Sequence, residues 1–207
     1  MTSLALVAIL LLFAAPSLFS APVTFSGGYT RMQMADGARQ IVLSGGADVS
    51  ADSLQLHADT ISLRGDDYGQ VSCSGNVTVT DESQGLTVTS PAIAYDRSQR
   101  RISIHSWVEI TDTQNMVGAS AGNLIFDMEE GVMELESHVR LVRETERGTM
   151  VCRADRVLFD RDRHTLSLTG TATVQWDGDT YQAHAITVNL DTEEITMDGS
   201  IKGTVHG

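Results

Sequence analysis

Apolar and polar residues alternate along most of this chain, and the alternation comes in blocks that recur. From Cys152 to Val174, "CRADRVLFDRDRHTLSLTGTATV", two alternating runs meet at the polar corner "DRDRH". Equivalent corners stand at Arg64, Asp96, Asp127, Asp160 and Asp191, separated by 32, 31, 33 and 31 residues. At offsets −3 and −1 from each corner sit Ile61 and Leu63, Ile93 and Tyr95, Leu124 and Phe126, Val157 and Phe159, Val188 and Leu190. At −10 and −8 sit Leu54 and Leu56, Leu86 and Val88, Val117 and Ala119, Met150 and Cys152, Tyr181 and Ala183. A small residue holds −6 each time: Ala58, Ser90, Ala121, Ala154, Ala185.

Strand side chains alternate between two faces with period two. The inward positions here are even down to −6 and odd from −3, so an extra residue or bend must lie between them. The spacing predicts a β-bulge or kink in every copy. Beyond the corner the alternation resumes in Ile102, Ile104, Ser106, Val108 and Ile110, in Met133 to Leu141, and in Leu166 to Val174. The copy after Arg64 has one extra turn residue, giving Val71, Cys73, Gly75, Val77 and Val79. The last copy needs a turn two residues shorter, giving Ile195, Met197, Gly199 and Ile201 inward. A degenerate first copy runs through Met32 and Met34, then Ile41 to Val49.

Strict alternation between turns rich in Gly, Asp and Asn is the signature of half-buried strands. Helical spacing is absent beyond the first segment, and only 3 Pro interrupt the chain. A fixed period near 32 residues marks a stacked array, each unit burying its apolar face against the next. Two strands and a corner per unit place two apolar faces opposite one another. A lane of small residues (Gly75, Ser106, Ser137, Gly170, Gly199) crosses the stack; it either leaves room inside or permits a sharp bend.

The leading segment does not belong to this array. Residues 1–20 have no charged side chain and an apolar core from Leu4 to Ala15, with small residues at Ser17, Ser20 and Ala21. This reads as a signal peptide. No Lys or Arg precedes the apolar core, so the rival reading is an uncleaved N-terminal anchor. Residues 22–207 then form a single exported domain, periplasmic and in the second case membrane-associated.

Charge narrows the function. The net charge is −13, and Lys202 is the only Lys beside thirteen Arg. Nucleic-acid binding needs a concentrated positive surface, so that class is excluded. "RSQRR" at Arg97 to Arg101 and "RADRVLFDRDR" at Arg153 to Arg163 are read as turn and strand-edge charges, with an anionic-headgroup site as the alternative. The six His fall in different units without metal spacing, no nucleophile motif occurs, and acids are spread over turns. The expectation is no enzyme, no metal and no cofactor. Cys73 and Cys152 face inward in units three apart, too far for a disulfide, so both are expected free and buried.

The stretch "LSGGADVSADSLQLHADTISLR", Leu43 to Arg64, resembles the OstA-like N-terminal domain of the LptA lipopolysaccharide-transport family. Gly45, Ala47, Val49, Leu54, Leu56, Ala58, Asp59, Ile61 and Leu63 occupy the family pattern, and "CRADRVLFD" with "LSLTGTATV" repeats it. The Ala-Asp pair is intact at Asp59 and Asp155; the other copies read Ser-Pro, Ala-Gly and Ala-Ile. The resemblance implies an all-β, incomplete jellyroll, open and twisted, of stacked antiparallel strands. It implies an apolar trough for lipid A acyl chains, lined here by Leu54, Leu56, Ile61, Leu63, Leu86, Val88, Ile93, Tyr95, Ile102, Ile104, Leu124, Phe126, Met133, Leu135, Met150, Val157, Phe159, Leu166 and Leu168. It also implies partners: lipopolysaccharide or a related glycolipid, and LptC-like and LptD-like proteins joined through edge strands. Further copies of the chain would join head to tail the same way. The edges are expected near Val23 to Met34 and Ile195 to Val205. An LptC-like anchored accessory protein and a structural stack without lipid are the alternatives.

Overall fold

A computed structural model describes residues 24–35, 39–51, 53–65 and 68–206, and the leader segment lies outside them. Among the described residues there is no helix. The strands are β1 (Thr24–Ser26), β2 (Tyr29–Gln33), β3 (Gln40–Ala51), β4 (Leu54–Arg64), β5 (Gln70–Asp81) and β6 (Leu86–Asp96). Four short strands follow: β7 (Arg101–Ile104), β8 (Val108–Asp112), β9 (Val117–Ala121) and β10 (Asn123–Asp127). The last six are β11 (Val132–Thr145), β12 (Gly148–Asp160), β13 (Thr165–Trp176), β14 (Asp179–Asn189), β15 (Ile195–Asp198) and β16 (Lys202–Thr204). All 16 belong to one antiparallel sheet.

That sheet has two walls because every long strand is bent in its middle. Register shifts fall at Ser44/Ala47, His57/Thr60, Ser74/Val77, Glu136/Val139, Arg153/Arg156 and Thr169/Ala172. In β4 and β12 they lie between offsets −6 and −3, where the parity change requires an extra residue. Wall A runs from β2 through the arms at 40–44, 60–64, 70–74 and 92–96, then β7 and β10, then the arms at 132–136, 156–160, 165–169 and 185–189, to β15. Wall B runs from β1 through the other arms, with β8 and β9 in its middle, to β16. In the central copy the bend is sharp enough to split both strands, β7 from β8 and β9 from β10.

The lane of small residues is the bend line. Gly75, Ser137, Gly170 and Gly199 have φ of 75°, 66°, 73° and 68°. At four of the bends one side chain fills the space left by a glycine on the strand opposite. A Cβ on Gly75 would sit 2.2 Å from Asp59 Oδ2, and one on Gly170 2.4 Å from Asp155 Oδ2. At the next-but-one bend the roles are exchanged: Ser137 carries the side chain and Gly122 opposes it, where a Cβ would meet Ser137 Cβ at 3.0 Å. This explains why the Ala-Asp pair becomes Ala-Gly in that copy.

Three corners of wall A are capped alike. Asp96 Oδ1 accepts from the amides of Ser98 and Gln99, Asp127 Oδ1 from Glu129 and Glu130, and Asp160 Oδ1 from Asp162 and Arg163. Such side-chain-to-backbone bonds favour Asp and Asn at turns. In the last copy the cap is Asn189, whose Oδ1 accepts from Asp191 and Thr192. The corner therefore stands two residues before Asp191, and the frame there needs correcting. Ile186 and Val188 point inward and Ala183 replaces Ala185 at the bend, with His184 against Gly199. Ile195 then falls six residues after its corner, as Ile102, Met133 and Leu166 do, and no shortened turn is needed. Ile201 is exposed, as are Met32 and Met34 in the degenerate first copy; these three expectations fail because the sheet ends there and no other described strand covers its face.

Candidate functional site

The inner faces of the two walls form one continuous apolar cluster from Leu43 on β3 to Val188 on β14, with Ile195 and Met197 of β15 packed against its end. All nineteen residues expected to line a trough lie on these inner faces. Leu54, Leu56, Ile61, Leu86, Val88, Tyr95, Ile102, Ile104, Leu124, Phe126, Met133, Leu135, Met150, Val157, Phe159, Leu166 and Leu168 are buried, and Leu63 and Ile93 are partly buried. Antiparallel register brings them together: Phe126 lies between Ile102 and Met133, and Met133 beside Phe159.

Within this interior is a partly open apolar cavity of about 40 Å³. Nine of the nineteen line it: Leu56, Val88, Ile93, Tyr95, Ile102, Ile104, Leu124, Phe126 and Met133. Val71, Cys73 and Val79 complete the lining; they are inward in the repeat but missing from the site expectation, and the unbroken alternation of β5 is the signal that finds them. The other ten sit in packed core. A dry cavity of roughly 150 Å³ holds one benzene, so this slot is too small for an acyl chain.

Cys73 and Cys152 are free and buried, as expected. Burial removes the thiolate's hydration and pushes both thiols up to about 12. Neither is a nucleophile at neutral pH. Among the described residues no three of His, Cys, Asp and Glu are grouped as metal ligands would be, and no buried side-chain polar atom lacks a partner.

Four of the seven arginines in the two basic stretches are paired locally. Arg156 donates to Glu134 and lies 3.8 Å from Glu136; that contact holds the Glu134 carboxyl below its usual range. Arg161 pairs with Asp162 at 3.2 Å, Arg163 with Asp160 at 3.5 Å, and Arg101 with Asp127 at 3.5 Å.

Among the described residues both ends of the sheet are open: β1 and β2 pair only with β3, and β15 and β16 only with β14. Phe25, Tyr29, Met32 and Met34 are exposed at the first end, and Ile201 and Val205 beside the second. These account for six of the eight large apolar side chains that stand exposed among the described residues, with Trp107 and Met116 as the others. No helix there is long and apolar enough to cross a membrane.

A family model described as "LptA/(LptD N-terminal domain) LPS transport protein" matches residues 30–194. No curated protein matches the chain. Solved structures that it resembles include LptH, the LptA-homologous periplasmic component of the conserved lipopolysaccharide transport device from Pseudomonas aeruginosa. Identity to that chain is 10%, the TM-score is 0.35, and the match covers 93% of this chain and 100% of that one. The architecture above stands on the strand pairing, not on that superposition.

Proposed function

The chain belongs to the LptA/LptD N-terminal family of lipopolysaccharide transport proteins, and from that premise we propose a periplasmic bridge that carries lipopolysaccharide from inner to outer membrane. The acyl chains travel along the apolar inner faces, and the open edges add the strands of neighbouring copies or of LptC-like and LptD-like partners. Transport of this kind makes and breaks no covalent bond. Each CH₂ kept out of water is worth about 0.8 kcal/mol, so a continuous apolar path lowers the barrier to moving a lipid through an aqueous space.

The observation that carries this reading is the unbroken apolar cluster running from one end of the sheet to the other, both open among the described residues. At about 4.8 Å per strand a wall of this sheet is roughly 50 Å long. Edges bearing Phe25, Tyr29, Met32 and Ile201 offer unpaired backbone and exposed apolar contacts together. The narrowness of the cavity supports the second reading, a closed structural stack.

Photocrosslinking separates them. A crosslinking residue at Leu56, Ile104 or Phe126, all inner-face, should capture lipopolysaccharide, while one at the outer-face positions Thr78 or Ser103 should not. Equal capture on both faces, or none, refutes carriage through the interior.

A further inference from the structure

The lip of wall B carries a cation whose place the carriage reading does not explain. On β11, Val139 and Leu141 point into the core, and Arg143 continues the same parity. Its cross-strand partners are Val117 on β9, packed against the core, and Met150 on β12, 2% exposed. Directly opposite residues share a face, so Arg143 is an inner-face arginine, half-buried, one step from the row of hairpin turns where the trough meets water. Met133, on the wall A half of the same strand, lines the cavity.

Three acids of this lip, Asp81, Asp112 and Asp179, are committed elsewhere. Asp81 Oδ1 accepts from Ser53 Oγ and the Ser83 amide, and Asp112 accepts from the Asn115 amide and side chain. Asp179 accepts from Tyr181 Oη and the His206 amide. The neighbouring Arg147 is also engaged, 3.1 Å from Asp177, 3.9 Å from Glu193 and stacked over the Trp176 ring at 4.6 Å. Arg143 has no ion pair among the described residues, in a chain with 27 acidic side chains against 14 basic ones. A guanidinium presents a planar fork of donors that matches a phosphate, and partial desolvation strengthens what it binds.

Resting on the carriage reading, we propose that Arg143 binds a phosphate on the headgroup of the amphiphile whose chains occupy the interior. It anchors the charged head at the lip of wall B while the tails lie between the walls. This reconciles an acidic protein with an anionic cargo: an inner-face cation without an ion pair among the described residues stands where the cargo's charge must emerge.

The test compares diphosphoryl lipid A with the same lipid after enzymatic removal of its phosphates, each displacing a fluorescent fatty-acid probe from the intact protein. Arg143→Gln should weaken diphosphoryl lipid A about tenfold, the loss of one charge-assisted hydrogen bond, and leave the dephosphorylated lipid unchanged. Arg143→Lys should recover part of the loss. Arg147→Gln, which removes the same charge nearby, should move neither. If Arg143→Gln weakens both lipids equally, or neither, the arginine serves only to cover Met150 and Val117 with its stem, and the proposal falls. Competition by millimolar inorganic phosphate would assign the site to the free ion instead and also overturn it. A wild-type protein that binds neither lipid refutes the carriage reading itself, a result distinct from these.

Discussion

Alanine at Gly75 tests the one-side-chain rule at the bends. Gly75 has φ of 75°, and an added Cβ would lie 2.2 Å from Asp59 Oδ2 and 2.7 Å from Asp59 Cβ. The left-handed backbone alone costs an L-residue about 1–2 kcal/mol. The clash adds about 1–2 kcal/mol more, because Asp59 Cβ is held by its backbone and cannot swing clear. Gly75→Ala should therefore destabilise by about 2–4 kcal/mol, a fall of 1 M or more in the urea midpoint at a slope near 2 kcal/mol/M. Gly178→Ala supplies the control. Gly178 has φ of 83° with nothing within 4 Å of an added Cβ, so it reports the backbone term alone. The double variant Asp59→Gly/Gly75→Ala recreates the pairing seen naturally at Gly122 and Ser137, and should be more stable than the sum of the single changes by about 1–2 kcal/mol. Equilibrium unfolding followed by circular dichroism measures the wild type and the four variants, Asp59→Gly alone included. A Gly75→Ala midpoint equal to that of Gly178→Ala, or strictly additive effects, would refute the rule.

Three other outcomes follow from the structure. Asp96 and Asp127 are held below the ordinary carboxylate range, chiefly by the Ser98 hydroxyl in one case and the Glu130 amide in the other. Their stabilisation is present above the unfolded-state carboxylate values and is lost as pH falls through the lowered folded values; Asp127→Asn, which keeps the acceptor as Asn189 does, should flatten that acid loss in a urea titration across pH 2–5, about the carboxylate range, whereas Asp127→Ala should cost about 1 kcal/mol at neutral pH. Cys73 and Cys152 should resist a thiol reagent at pH 8 in the folded protein and react fully once it is denatured; reaction of either in the native state would overturn their placement. Tyr29→Glu together with Met32→Lys places charge on the exposed edge strand β2 and should abolish concentration-dependent assembly in light scattering; unchanged assembly would exclude that edge as the joint.

Much of this protein is written locally. Period-two alternation marks which side of each strand is apolar, because pleating forces successive side chains apart whatever the strand packs against. A parity change implies a bulge for the same reason, and β4 and β12 carry theirs where Ala58 and Ala154 predict them. Asp corners cap their own turns through bonds two and three residues long, so they too are visible without a fold. Other features depend on what lies across the sheet. Met32, Met34 and Ile201 alternate like core residues yet face water, since alternation carries no information on whether a second wall covers it. The shift of the last corner from Asp191 to Asn189 was hidden because both residues are good turn formers and only the hydrogen bonds choose between them. That Asp59 occupies the space left by Gly75 joins residues on different strands, and the short-range pattern holds no trace of it. Arg143 shows the same limit from the polar side: a rule that counts apolar positions passes over a cation on the inner face, and only the register against Val117 and Met150 puts it at the lip.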